Sequence, residues 1–265
     1  MTTAFNSILP HMIFQAKRSG HLILVGLDIK ANDKIWNIIS TTYIKDHIKL
    51  LDISGISMKS LPPTLQIFEI PNMKILRAKR CNLQRTPVLS LATQLKHIHF
   101  SGNDLEETTV DELPLSLTMI DFSTNHFRTF PPAFISLVFL IEIDLSENRL
   151  NSVEGIGALI NLQKVKLDSN ELVELPLEME DLVKLKILSI KDNNFSAKSA
   201  TRPDEQSIPK GIFINTQIDT LEMDGCSPIR NADVLLFDGI QILIDKICKN
   251  KKLVIDEIIF VRRKK

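Results

Sequence analysis

Two histidines and one aspartate come nearest to chemistry in this 265-residue chain. His97 and His99 alternate in the segment HIH, and Asp121 holds the place of His99 one copy further along the same sequence pattern. Two imidazoles and a carboxylate on one face could hold a divalent metal. Strand histidines facing solvent without a ligand are the commoner arrangement, so no metal is expected. Cys81, Cys226 and Cys248 are too scattered for a disulfide framework or a C-x-x-C metal site. The chain lacks a phosphate-cradling glycine loop, a dinucleotide fingerprint, an H-E-x-x-H helix and a nucleophile elbow. No catalytic residue and no cofactor are expected, and the chain reads as a non-enzyme.

The elements that would position these residues follow from one pattern, Leu-x-x-Leu-x-Leu-x-x-Asn-x-Leu. It is clearest in LKHIHFSGNDL from Leu95, LTMIDFSTNHF from Leu117, LIEIDLSENRL from Leu140, LQKVKLDSNEL from Leu162 and LKILSIKDNNF from Leu185. Weaker copies begin at Ile48, Met73 and Ile218, and a degenerate one at Ser19. From Ile48 to Leu185 successive starts lie 22 to 25 residues apart, which is the spacing of leucine-rich repeats. Each copy predicts a short strand with Ile143 and Leu145, for example, pointing inward while Glu142, Asp144 and Ser146 point outward. Stacked copies predict an α/β leucine-rich repeat solenoid, a horseshoe with a parallel concave sheet and an irregular or short-helical convex side. Asn103, Asn125, Asn148, Asn170 and Asn193 recur just after the strand, where a buried turn needs both a donor and an acceptor. They are expected to form a structural Asn ladder, with Cys81 and Cys226 as small buried substitutes at the same phase.

Within an N-terminal cap over residues 1–18, Ser7 to Arg18 reads as a short lead helix with Pro10 in its first turn, 19–229 reads as about nine repeats, and 230–265 as a helical cap with a basic tail. Asp28 to Asp46 reads as irregular, with Trp36 and Tyr43 covering the convex side. Proline in Leu61-Pro62, Thr86-Pro87, Phe130-Pro131 and Leu175-Pro176 predicts extended turns there. The segment VEGIGALINL predicts a short helix from the spacing of Ile156, Leu159, Ile160 and Leu162. SAKSATRPDEQS, in the enlarged step Ser196–Gln217, predicts a mobile surface loop. DVLLFDGIQILIDKICKN predicts a capping helix that packs Cys248.

The formal net charge is zero, so bulk electrostatics favour neither nucleic acid nor membrane. No signal peptide or membrane-spanning run is legible, and the three cysteines build no framework, so a cytoplasmic setting is expected, with the nucleus also open. The sequon Asn194-Phe195-Ser196 would then go unused. Seven cations flank Leu253–Val261, but Asp256 and Glu257 interrupt that segment, so membrane contact is not expected.

The remaining surface is the concave face. Its central outward column is Ile23, Asp52, Arg77, His99, Asp121, Asp144, Lys166, Ser189 and Glu222, flanked by Lys79, Arg80, Glu142, Glu147 and Lys164. This predicts a basic, then an acidic, then a smaller basic patch, whose alternating sign does not suit a nucleic-acid track. The expected function is a protein–protein interaction scaffold that binds a protein partner through Arg77, Lys79, His99, Asp121, Glu142, Asp144 and Lys166. A regulatory subunit positioning a phosphatase or small GTPase is the alternative, and a metal-dependent protein or enzyme is a weaker one.

The Leu-Pro-containing repeats resemble the intracellular leucine-rich repeat proteins of the Ras-associated group. AKRSGHLILVGLDI is similar to a lead helix ending in Ala-x-Lys-x-Gly that feeds a first strand, with Arg18 at the Lys position. IPKGIFINTQIDTLEMDGCSPI is similar to the group's enlarged penultimate junction. The resemblance implies a binding role without a defined ligand. A relative in this group opens Met-Gly-Asn, a myristoylation start, whereas this chain opens Met1-Thr2-Thr3, so no acylation is expected.

Overall fold

In a computed structural model, the described residues are 2–30, 35–41, 44–58, 70–89, 92–195, 200–201, 207–223 and 226. Tyr43, Leu61-Pro62, Cys248, most of SAKSATRPDEQS, the capping helix and the basic tail lie outside them. The chain divides into two compact units, Met1–His126 and Phe127–Lys265.

Among the described residues the first unit holds five parallel strands: β1 (His21–Ile23), β2 (Leu50–Asp52), β3 (Ile75–Arg77), β4 (His97–His99) and β5 (Met119–Asp121). Each pairs in register with the next, so that Leu22, Leu51, Leu76, Ile98 and Ile120 align in a fully buried row. The second unit repeats the arrangement in β6 (Glu142–Asp144), β7 (Lys164–Lys166), β8 (Ile187–Ser189) and β9 (Thr220–Glu222). A three-residue strand buries little by itself. Its stability comes from the row, in which each central apolar side chain meets its counterparts above and below. Phe100 and Phe122 extend the first unit's core with an edge-to-face ring contact at 5.5 Å. In the second unit Phe134 takes the same kind of contact from both Phe127 and Phe130.

Helix α1 (Thr2–Ser19) is longer than predicted and places Pro10 in its interior, not its first turn. Proline's fixed φ is itself helical, so the cost is confined to one lost backbone bond and a local clash. The helix ends where Gly20 adopts φ +75° and its N–H donates to Ala16 O at 2.8 Å. Gly20 O then accepts from Lys49 N and Leu50 N, tying the cap to the start of β2.

The stretch read as irregular contains helix α2 (Ile35–Thr41), and Trp36 is fully buried, its Nε1 donating to Lys30 O at 2.8 Å. Its run IWNII buries Ile35, Trp36 and Ile39, a helical spacing within seven residues, too short to register as a period. VEGIGALINL forms only a 3-10 turn over Ile156–Ala158. Gly155 sits at φ +95°, outside the helical region, and the Glu178 carboxylate accepts from the N–H groups of both Gly155 and Gly157. A Cβ at Gly157 would stand 2.6 Å from Glu178 Cβ, so only glycine fits this crossing. As a consequence Ile156, Leu159 and Leu162 are buried but Ile160 turns outward. Within Ser196–Gln217, Glu174 accepts from Ala200 N and Thr201 Oγ1, and a short helix α3 (Gly211–Asn215) buries Ile212 and Phe213.

One backbone feature recurs at the residue before the Asn or Cys phase. Gly55, Arg80, Gly102, Thr124, Glu147, Ser169 and Asp192 all have φ between +50° and +76°. A left-handed conformation strains residues that carry a Cβ by about 1 to 2 kcal/mol. Ser169→Gly should therefore raise the urea midpoint, by about 0.5 kcal/mol once glycine's larger unfolded-state entropy is subtracted. Ser169→Val should lower it. A fall with glycine would show that the strain is absent.

Candidate interaction face

The strand register carries the outward side chains into rows. In the first unit Asp52, Arg77, His99 and Asp121 are Cα partners in succession. Asp121 is the hub of this row. Its Oδ2 takes an ion pair from Lys79 Nζ at 2.8 Å and lies 3.5 Å from His99 Nδ1, while its Oδ1 accepts from Ser123 Oγ at 2.7 Å. Burial raises the pKa of this carboxyl, but the nearby His99 ring and the hydrogen bonds from Lys79 and Ser123 outweigh it and hold it well below the usual carboxylate range. Arg77 Nη1 stands 3.8 Å from Asp52 Oδ2, and Asp52 Oδ1 accepts from Ser54 N, closing the turn after β2.

In the second unit Asp144, Lys166, Ser189 and Glu222 form the corresponding row. Lys164 pairs with Glu142 at 2.8 Å and Lys166 with Asp144 at 3.3 Å. Burial would depress the Lys166 ammonium, but Asp144, helped by Glu142 and Asp168, raises it. Buried Ser189 shares its hydroxyl proton between Asp168 Oδ1 and Glu222 Oε2, and Glu222 is held down by its ion pair with Lys191.

These contacts change how the predicted face is read. The expected basic and acidic blocks are resolved into cross-strand ion pairs, because opposite charges on adjacent strands fall within reach of one another and the longer Lys79 side chain reaches past β4 to Asp121. His99 and Asp121 are mostly covered, whereas Arg77, Lys79, Glu142 and Lys166 keep about a third or more of their side chains in solvent. Asp144 lies between these extremes. Lys191, Asp168 and Ser123 were not singled out from sequence, although they share with Lys79 the first position after the strand's last apolar residue. That phase is a usable signal, since side chains there fold back over the face.

Lys79 supplies the positive charge beside Asp121, where a metal shared with His99 would have to sit. Among the described residues no three His, Cys, Asp or Glu side chains converge to hold one. Cys81 and Cys226 are buried free thiols whose Sγ atoms donate to Ile53 O and Ile190 O, each at 3.2 Å. Asn103 and Asn193 donate to Ala78 O and Leu167 O, the carbonyls of the same phase in their own neighbouring turns. The thiol thus reproduces one arm of the amide, and burial pushes the Cys81 thiol up to about 11, far from a reactive thiolate. Among the described residues no helix is long and apolar enough to cross a membrane.

No family model matches the chain. It is 29% identical over 147 residues to the leucine-rich repeat-containing G-protein coupled receptor 5 of Rattus norvegicus, covering 54% of this chain and 16% of the receptor. It is 30% identical over 103 residues to the human geranylgeranyl transferase type-2 subunit alpha, covering 38% of this chain and 18% of that subunit. A third match, at 34% identity over 128 residues, is leucine-rich repeat serine/threonine-protein kinase 1 of Mus musculus, with 43% and 6% covered. The chain thus spans less than a fifth of the length of these curated relatives. Among solved structures, a leucine-rich repeat protein of Leptospira interrogans superimposes with a TM-score of 0.60 at 22% identity, over 75% of this chain and 47% of that one. A chain from the octameric complex of Latrophilin 3, Unc5D and the leucine-rich repeat part of FLRT2 gives 0.59 at 20% identity, over 77% and 66%. The chain has the fold of a leucine-rich repeat solenoid.

Proposed function

We propose that this leucine-rich repeat protein is a non-catalytic interaction scaffold that takes a protein partner on its strand face. The carrying observation is the organisation of that face. Charged side chains stand in register along the strands, held by partners one or two strands away, with the ends of Arg77, Lys79 and Lys166 left in solvent. Side chains already ordered lose less entropy on association, which favours binding. Repeat solenoids use extended faces of this kind for partners, and the FLRT2 likeness, from a multiprotein complex, supports the reading. The kinase and transferase matches cover too little of those proteins to carry their activities across. A cytoplasmic setting and the Ras-group character of the repeats belong to the same proposal; the latter rests on the Leu-Pro-containing repeats, with the two end segments beside them.

The test is affinity capture by the intact protein from its native cell, beside Arg77→Glu and Lys166→Glu variants, one in each unit. Circular dichroism should stay unchanged, while recovery of the specific partner falls by roughly 10-fold in at least one variant. Equal recovery by both variants and the wild type would refute the strand-face reading.

A further inference from the structure

The outward turn of Ile160 has a counterpart in the turns on either side of it. Val138, Ile160 and Val183 each stand two residues ahead of their repeat's first leucine, and they are 40%, 54% and 49% exposed. Phe139, beside Val138, is 60% exposed. The three turns are locked in register at this phase. Asn161 Nδ2 donates to Val138 O at 2.7 Å, and Lys184 Nζ donates to Asn161 Oδ1 at 2.6 Å. Single exposed apolar residues are ordinary, but a row repeated over three consecutive turns is a contiguous patch and marks a binding surface.

Spacing and charge both specify what would bind. Paired strands stand about 4.8 Å apart, and the Asn161 and Lys184 hydrogen bonds tie the turns that lead into them at a comparable step, close to the α-helical pitch of about 5.4 Å. A helix lying across the turns would therefore place residues i, i+3 or i+4, and i+7 on successive members of the row. Lys184 and Lys186 follow Val183 by one and three residues, and neither has a carboxylate partner among the described residues, in contrast to Lys164, Lys166 and Lys191. We propose that the Val138–Ile160–Val183 row is a second docking surface, distinct from the strand face, for an amphipathic helix of a partner protein with acidic side chains at the end over Val183.

The probe is a fluorescein-labelled 18-residue model helix, with leucine on one face and glutamate beside it at one end, titrated into the full chain by fluorescence anisotropy. The control is the same peptide with lysine in place of the glutamates. The acidic peptide should bind at least ~10-fold more tightly than the basic one, a difference of about 1.4 kcal/mol. Ile160→Ser/Val183→Ser should weaken it by a similar factor, and Lys184→Glu/Lys186→Glu should remove the preference for acid. Arg77→Glu, on the strand face, should leave it unchanged, which separates this proposal from the previous one. Ile160→Thr provides a gentler variant should the double serine change disturb the fold. Equal binding of the two peptides, or undiminished binding by the row variants, would overturn the proposal. So would a concentration-dependent dimer abolished by those variants, since the row would then serve a second copy of the chain.

Discussion

Asn103→Ala is expected to destabilise the first unit by about 4 kcal/mol, because each buried group left unpaired costs roughly 1 to 3 kcal/mol and partial relaxation offsets some of the sum. The side chain makes four hydrogen bonds while only 4% exposed. Its Oδ1 accepts from Cys81 N and Leu83 N, both at 3.0 Å, and its Nδ2 donates to Ala78 O and Phe100 O, both at 2.8 Å. Alanine satisfies none of these groups. Urea unfolding should show a large drop in midpoint with the slope unchanged. Asn103→Cys should lose less, since Cys81 shows that a thiol can serve one of the carbonyls. An alanine variant that melts with the wild type would mean that these turns are held by backbone bonding alone.

The second large effect is expected at Asp121. Asp121→Lys would set a third cation-capable group against Lys79 and His99 in a mostly covered site and should cost about 3 kcal/mol or more. Asp121→Asn should cost less, and its deficit should depend on pH with a definite sign. The native carboxyl titrates below its unfolded value, so its contribution is fully present above the unfolded pKa of about 4 and fades as pH falls toward the native value. The gap between wild type and Asp121→Asn should accordingly be present at pH 7 and narrow below about pH 4. Measuring urea midpoints of both proteins across that range checks this. A gap that widens in acid would place the stabilisation elsewhere.

What the chain's own pattern determined is the repeat and everything that repeats with it. The inward positions of Ile143 and Leu145, the outward row from Ile23 to Asp121, and the buried phase of Asn103 to Asn193 each depend only on a residue's place within one turn. Side-chain alternation has period two, and the copies are nearly equal in length, so a single alignment predicts every row. The tertiary structure decided whatever depends on reach between turns. Sequence separations of 20 residues and more lie between Lys79 and Asp121, between Glu178 and Gly157, and between Lys184 and Asn161. Whether such side chains meet depends on their length, the twist between strands and the course of each connecting segment, none of which a repeat pattern specifies. Ile160 shows the difference most plainly. Its apolar spacing suits a helix, but Gly155 and the Glu178 carboxylate hold the segment in a single 3-10 turn, and that turn presents the side chain to solvent.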